Sequence, residues 1–99
     1  MSIKDNTLVF KLTESDVMVD IRDNNNINNF IADLRGVDLS VIAGIKDKFI
    51  TFGRSIYDNN GSFVIIYDSI FDDNLIIVPT LEEAYDYIEI EEIERKLNL

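Results

Sequence analysis

Residues 62–67 read SFVIIY, and this run decides the fold. Phe63, Val64, Ile65 and Ile66 follow one another with no polar alternation, so neither face of the segment can lie in water. That is the pattern of a central strand covered on both sides, as in a parallel sheet. Just upstream, Asn59-Asn60-Gly61 is a helix stop, with glycine able to take the left-handed geometry that ends helices. The helix it stops spans residues 41–58. Val41, Ile42, Ile45, Phe49, Phe52 and Ile56 recur there at three- and four-residue steps and make one buried stripe. Ser40 is placed to cap it by accepting from an amide of the first turn.

Downstream, residues 68–74 form a polar connection. Residues 75–78 (LIIV) read as another short strand, which Pro79 ends because it has no amide to give. Thr80 with Glu83 at the third position is a capping box for a last helix, with Leu81, Ala84, Tyr85 and Ile88 as its inner face. The spacing slips at Ile90, and Ile93 and Leu97 resume on a rotated stripe. A kink or a second short helix is expected there.

Towards the N-terminus, residues 30–34 (FIADL) are a strand closed by Arg35-Gly36, and residues 7–12 (TLVFKL) are the first strand. Between them, Val17, Val19 and Ile21 alternate like a strand, while Val17, Met18 and Ile21 also fit a helical face. Thr13 with Asp16 is a weak start signal, and a short helix over 14–23 is expected, closing at the polar run 23–26. The order strand, helix, strand, helix, strand, strand, helix predicts an α/β fold. Its core is a mainly parallel four-stranded sheet with helices packed on it, in a single domain over residues 1–99.

At 99 residues and 46% apolar content the chain is long enough for one core. Without cysteine it has neither disulfides nor thiolate metal sites. The first ten residues, MSIKDNTLVF, lack the pattern of a signal peptide, and no apolar stretch approaches a membrane span, so a cytoplasmic protein is expected. A net charge of −10 argues against nucleic acid, whose binding needs cations to displace condensed counterions. It argues equally against anionic membrane surfaces. It reads first as a means of keeping the chain soluble, and as the sharper alternative it fits a protein partner with a basic surface.

Histidine is absent as well, which removes the commonest general base and, with cysteine, the main transition-metal ligands. No catalytic residues and no cofactor are expected. The four glycines, Gly36, Gly44, Gly53 and Gly61, are too scattered for a phosphate loop. Asp68, Asp72 and Asp73 follow a central strand, where ligands often bind, but their spacing matches no calcium loop and a solvated turn is expected. Glu82, Glu83, Glu89, Glu91, Glu92 and Glu94 are expected on the wet face of the last helix.

Residues 30–48, FIADLRGVDLSVIAGIKDK, resemble the central segment of STAS domains, the fold of bacterial anti-sigma factor antagonists. There an apolar strand ending in Asp-Leu-x-x-Val leads into a helix opening with Asp-Ser-Ser-Gly. Asp33, Leu34, Val37 and Gly44 match, whereas Val41, Ile42 and Ala43 stand at the Asp-Ser-Ser positions. The family's phosphorylated serine is therefore missing, and Ser40 is out of register to replace it. The resemblance implies a partner face at Asp38, Leu39, Ser40, Val41, Ala43 and Gly44. Residues 75–97, LIIVPTLEEAYDYIEIEEIERKL, are similar to the ending of small Bacteroidetes proteins often labelled ribonuclease Z, a likeness that runs over roughly residues 27–99. Ribonuclease Z is a zinc enzyme with a histidine-rich motif, so its activity does not carry over to a chain without histidine. The likeness implies a STAS-like fold and a helix over 14–23. Two functions follow as expectations. One is a protein-binding regulatory module. The other is a homodimer or accessory subunit beside an RNA-processing enzyme, using the last helix around Tyr87, Ile90 and Leu97.

Overall fold

The computed structural model describes residues 2–4, 6–11 and 27–97. Within them lie β1 (Ser2–Lys4), β2 (Thr7–Lys11), β3 (Asn29–Asp33), α1 (Leu39–Asp58), β4 (Ser62–Ile66), β5 (Ile77–Val78) and α2 (Leu81–Leu97). The five strands form one sheet in the order β1-β2-β3-β4-β5. Strands β2 to β5 are parallel, which is the expected α/β architecture, and β1 adds an antiparallel edge. That edge strand had no legible signal: only Ile3 is apolar in its three residues. It returns into β2 through a two-residue connection in which Asn6 has φ 62°, the left-handed geometry that tight hairpins require. The helix expected over 14–23 lies outside the described residues, as does Leu12.

Strict alternation sorts the apolar residues into two cores. Leu8, Phe10, Phe30, Ala32, Phe63 and Ile65 point to one face, where Ile42, Phe49 and Phe52 of α1 cover them. Ile31, Val64 and Ile66 point to the other, under Ala84 and Ile88 of α2. Residues 62–67 are buried throughout, because one face of β4 meets each helix. The β4–β5 connection carries no helix. Tyr67 and Leu75 sink into the α1-side core from it, with Phe71 packed against them. Leu75 is thus drawn off the expected strand over 75–78, and only Ile77 and Val78 pair with β4.

Four local expectations are corrected. Ser40 is not the cap of α1: the helix starts at Leu39 and the capping position is Asp38, whose carboxylate makes no capping hydrogen bond. Val41 leaves the buried stripe and is half exposed, while Ile42 beside it turns into the core. At 59–61 it is Asn60, φ 64°, that adopts the left-handed conformation. Gly61 is needed instead for close approach, because a Cβ there would strike the Asn28 carbonyl oxygen. Finally, α2 runs unbroken from Leu81 to Leu97 as one helix rather than two, having no proline or glycine to interrupt it. Thr80 caps it as expected, its Oγ1 accepting from the Glu83 amide at 3.1 Å.

The N-terminal ends of the parallel strands carry a buried polar row in register, Thr7, Asn29 and Ser62. Asn29 Oδ1 accepts from the Ser62 amide at 3.0 Å. Its Nδ2 reaches Thr7 Oγ1 at 3.5 Å and Glu92 Oε2 at 3.4 Å. Arg95 Nη1 donates to Ser62 Oγ at 3.1 Å, so α2 is stitched to the sheet by polar contacts as well as by apolar burial. Two of the six glutamates expected in water therefore turn inward. Glu92 joins this row. Glu91 faces Tyr57 and Tyr87, and burial together with its charge pushes both phenols above their ordinary value, Tyr57 the further.

Candidate partner-binding site

At the C-terminal ends of the strands the chain passes from β3 into α1, and each step of this passage is tied down. Val37 N donates to Leu34 O at 3.0 Å, closing a four-residue turn with Gly36 at its third position. Gly36 has φ +85°, the requirement of a type II turn, which a side chain would strain. Asp33 braces the turn from inside. Its Oδ1 accepts from the Arg35 amide at 3.1 Å and from Arg35 Nε at 2.9 Å, and its Oδ2 accepts from Arg35 Nη2 at 2.7 Å. The Arg35 guanidinium holds the Asp33 carboxyl below its ordinary value, against burial and with help from Lys11 on the neighbouring strand. Because the folded value is lowered, the contribution is full above the unfolded value of 3.8 and is lost as pH falls through the folded one.

Tyr67 supplies the third tie. Its hydroxyl donates to the Val37 carbonyl at 2.7 Å, crossing from the end of β4 to the residue before the helix cap. Burial, then Asp68 and Asp38, push this phenol up, so it keeps its proton and its donor role. Tyr67→Phe is expected to leave the fold intact but to speed amide hydrogen exchange over residues 37–41, read by mass spectrometry. Unchanged exchange would show that the bond does not hold the loop.

This scaffold presents the first turns of α1. Asp38, Leu39, Ser40, Val41, Ala43 and Gly44 are all exposed there, while Ile42 between them is buried. Leu39 is 55% and Val41 50% exposed. Gly44 is the least expected member. A glycine inside a helix costs roughly 0.5–1 kcal/mol relative to alanine. Yet among the described residues nothing lies within 4 Å of where its Cβ would stand, and its φ is not positive. The fold gives no reason for it.

The loop of residues 68–74 ends on the same edge, with Ile70 72% exposed. Lys46 pairs with Asp72 at 3.7 Å and ties this loop to α1. Asp72 Oδ1 accepts from the Asn74 amide at 2.8 Å, so this carboxylate is spent on turn and ion pair. Among the described residues no three carboxylates converge as a metal site, and no helix is long and apolar enough to cross a membrane. Sequence reasoning missed Tyr67, Ile70 and the Asp33–Arg35 brace. For Tyr67 a signal existed: it shares parity with Phe63 and Ile65, which puts it on the α1 side of β4.

A 110 Å³ cavity, lined by Ile50, Gly53, Tyr57 and Phe63 among others, opens where β5 stops short of β4's first residues. It holds no convergent charges and lies at the far end of α1 from Leu39. Its size admits only a few waters. No family model, no curated protein and no solved structure matches this chain.

Proposed function

We propose that this chain is a cytoplasmic, non-catalytic protein-binding module of STAS-like type that lacks the phosphoserine switch and meets its partner with the first turns of α1. The observation that carries the reading is Gly44, a helical glycine without structural need beside the exposed Leu39 and Val41. A partner packing closely on the helix backbone supplies the missing reason for it. The absence of histidine and cysteine, together with the rigid passage from β3 to α1, supports binding over catalysis.

Gly44→Ala separates folding from binding. The variant is expected to be more stable by about 0.5–1 kcal/mol, since alanine suits a helix interior. Its partner, captured from native cells by the unaltered protein and then purified, is expected to bind it at least ~10-fold more weakly. Leu39→Asp is expected to weaken the same complex similarly. Unaltered affinity in both variants would remove α1 from the interface.

A second reading has its own observation. Ile90, Ile93 and Leu97 leave an apolar stripe in water on α2, which favours an accessory subunit that joins an assembly through that helix. Tyr87, expected on that surface, packs into the α2-side core instead.

A further inference from the structure

We propose that the outward face of α2 docks a basic amphipathic helix of another protein. The proposal rests on the second reading above, that this helix faces a partner, and names the occupant.

The helix carries two apolar stripes on opposite sides. Leu81, Ala84 and Ile88 face the sheet. Ile90, Ile93 and Leu97 are 55%, 50% and 78% exposed. At 3.6 residues per turn Ile90 lies about 160° around the helix from Ile88. A slipped stripe of this kind is expected to break or bend a helix back onto its core, but α2 continues as one helix and leaves the stripe in water. Steps of three and four residues are the spacing of one helix packing along another, with the flanking positions choosing the partner by charge. Here those flanks are mainly acidic, with Lys96 a cation near the helix end. Glu89 and Glu94 border the stripe, and Glu83 and Asp86 continue its line towards the helix start; all four are exposed.

That charge pattern selects the occupant. A second copy would set most of these carboxylates against their own kind, with only Lys96 to offset them, in a chain of net charge −10, and like charges across an interface are costly. Residues 12–26 of this chain offer no better match, with Glu14, Asp16, Asp20 and Asp23 against Arg22. A helix with leucine-type residues at three- and four-residue steps, flanked by lysine or arginine, covers the stripe and neutralises its border. Its most basic end would lie over Glu83 and Asp86.

The test uses three synthetic peptides titrated into the isotope-labelled chain and followed by amide chemical shifts. One has leucine at the two core positions of each heptad and lysine at the flanks; the second has glutamate flanks; the third is the first with its order scrambled. The basic peptide is expected to bind, to shift the amides of residues 89–97, and to weaken as salt rises. Ile93→Asp, at an exposed position that leaves the core untouched, is expected to weaken it at least ~10-fold. Equal binding of the scrambled peptide, no binding of the basic one, or indifference to Ile93→Asp overturns the proposal. Sedimentation separates the two levels. A dimer that Ile93→Asp dissolves overturns the basic helix but keeps α2 as an interface. A monomer that neither the peptides nor the substitution affects removes both.

Discussion

Phe52→Ala is expected to lower the free energy of unfolding by about 3–5 kcal/mol, the range for removing a buried phenylalanine that its surroundings cannot replace. Phe52 is fully buried at the centre of the α1-side core. Its ring meets Phe30 edge-on at 5.2 Å and Phe63 edge-on at 5.1 Å, so one side chain links α1 to two adjacent strands. Truncation would leave both partner rings facing a void too apolar to hold water. Single domains of this size hold a net stability of about 5–15 kcal/mol, so the variant should sit near the edge of folding. Urea denaturation measures it, and Val41→Ala is the control. Both residues belong to the same helical stripe in the sequence, but Val41 is half exposed and its truncation should cost no more than about 0.5 kcal/mol. Similar losses for the two would mean that α1 is rotated from the orientation described.

Asn29→Asp is expected to cost about 3 kcal/mol or more at neutral pH, the scale of an uncompensated buried charge. Asn29 is completely buried. It donates towards Thr7 and Glu92 and accepts from the Ser62 amide. Aspartate keeps the acceptor but loses both donations and sets a carboxylate against that of Glu92. A buried carboxyl beside another acid has a raised folded value. Its penalty therefore grows as pH rises above the unfolded value, and shrinks as pH falls towards about 4. Paired denaturation of variant and unaltered protein at pH 4 and pH 7 reads this difference. A gap independent of pH would show that the side chain's charge is not felt there. Asn29→Leu separates shape from charge, losing the hydrogen bonds at either pH alike.

Most of the architecture is legible from local pattern. SFVIIY reads as a central strand because no polar residue interrupts it, and β4 does lie between two helices. The stripes of α1 and α2 are visible at helical spacing, and Thr80 caps α2 as its neighbours imply. The failures share a cause. Ser40 looks like a cap, yet the turn built on Gly36 and the Tyr67–Val37 bond bring the extended chain to Asp38 and start the helix two residues earlier than Ser40 would. Leu75 looks like strand, yet the α1-side core takes its side chain. Each time a contact distant in sequence outweighs a local preference.

The candidate site divides the same way. Its exposed residues lie in one stretch of sequence, but what holds them in place does not: Tyr67 is 30 residues from Val37. On α2 the rotated stripe of Ile90, Ile93 and Leu97 is plain in the sequence, and two outcomes fit it, a return to the core or one continuous helix with a second face. Periodicity alone cannot choose between them, because it records where apolar side chains sit around an axis and not what stands opposite. The order of the elements from β3 to α2, the parallel sheet and the absence of histidine and cysteine follow from composition and spacing, which are properties of neighbouring residues. Which half of α1's first turn meets water, why Asn29 is buried, and that α2 turns one apolar face to solvent follow from pairings such as Asn29 with Glu92, 63 residues apart. Those depend on the register of strands and the seating of helices, and only the folded chain brings them together.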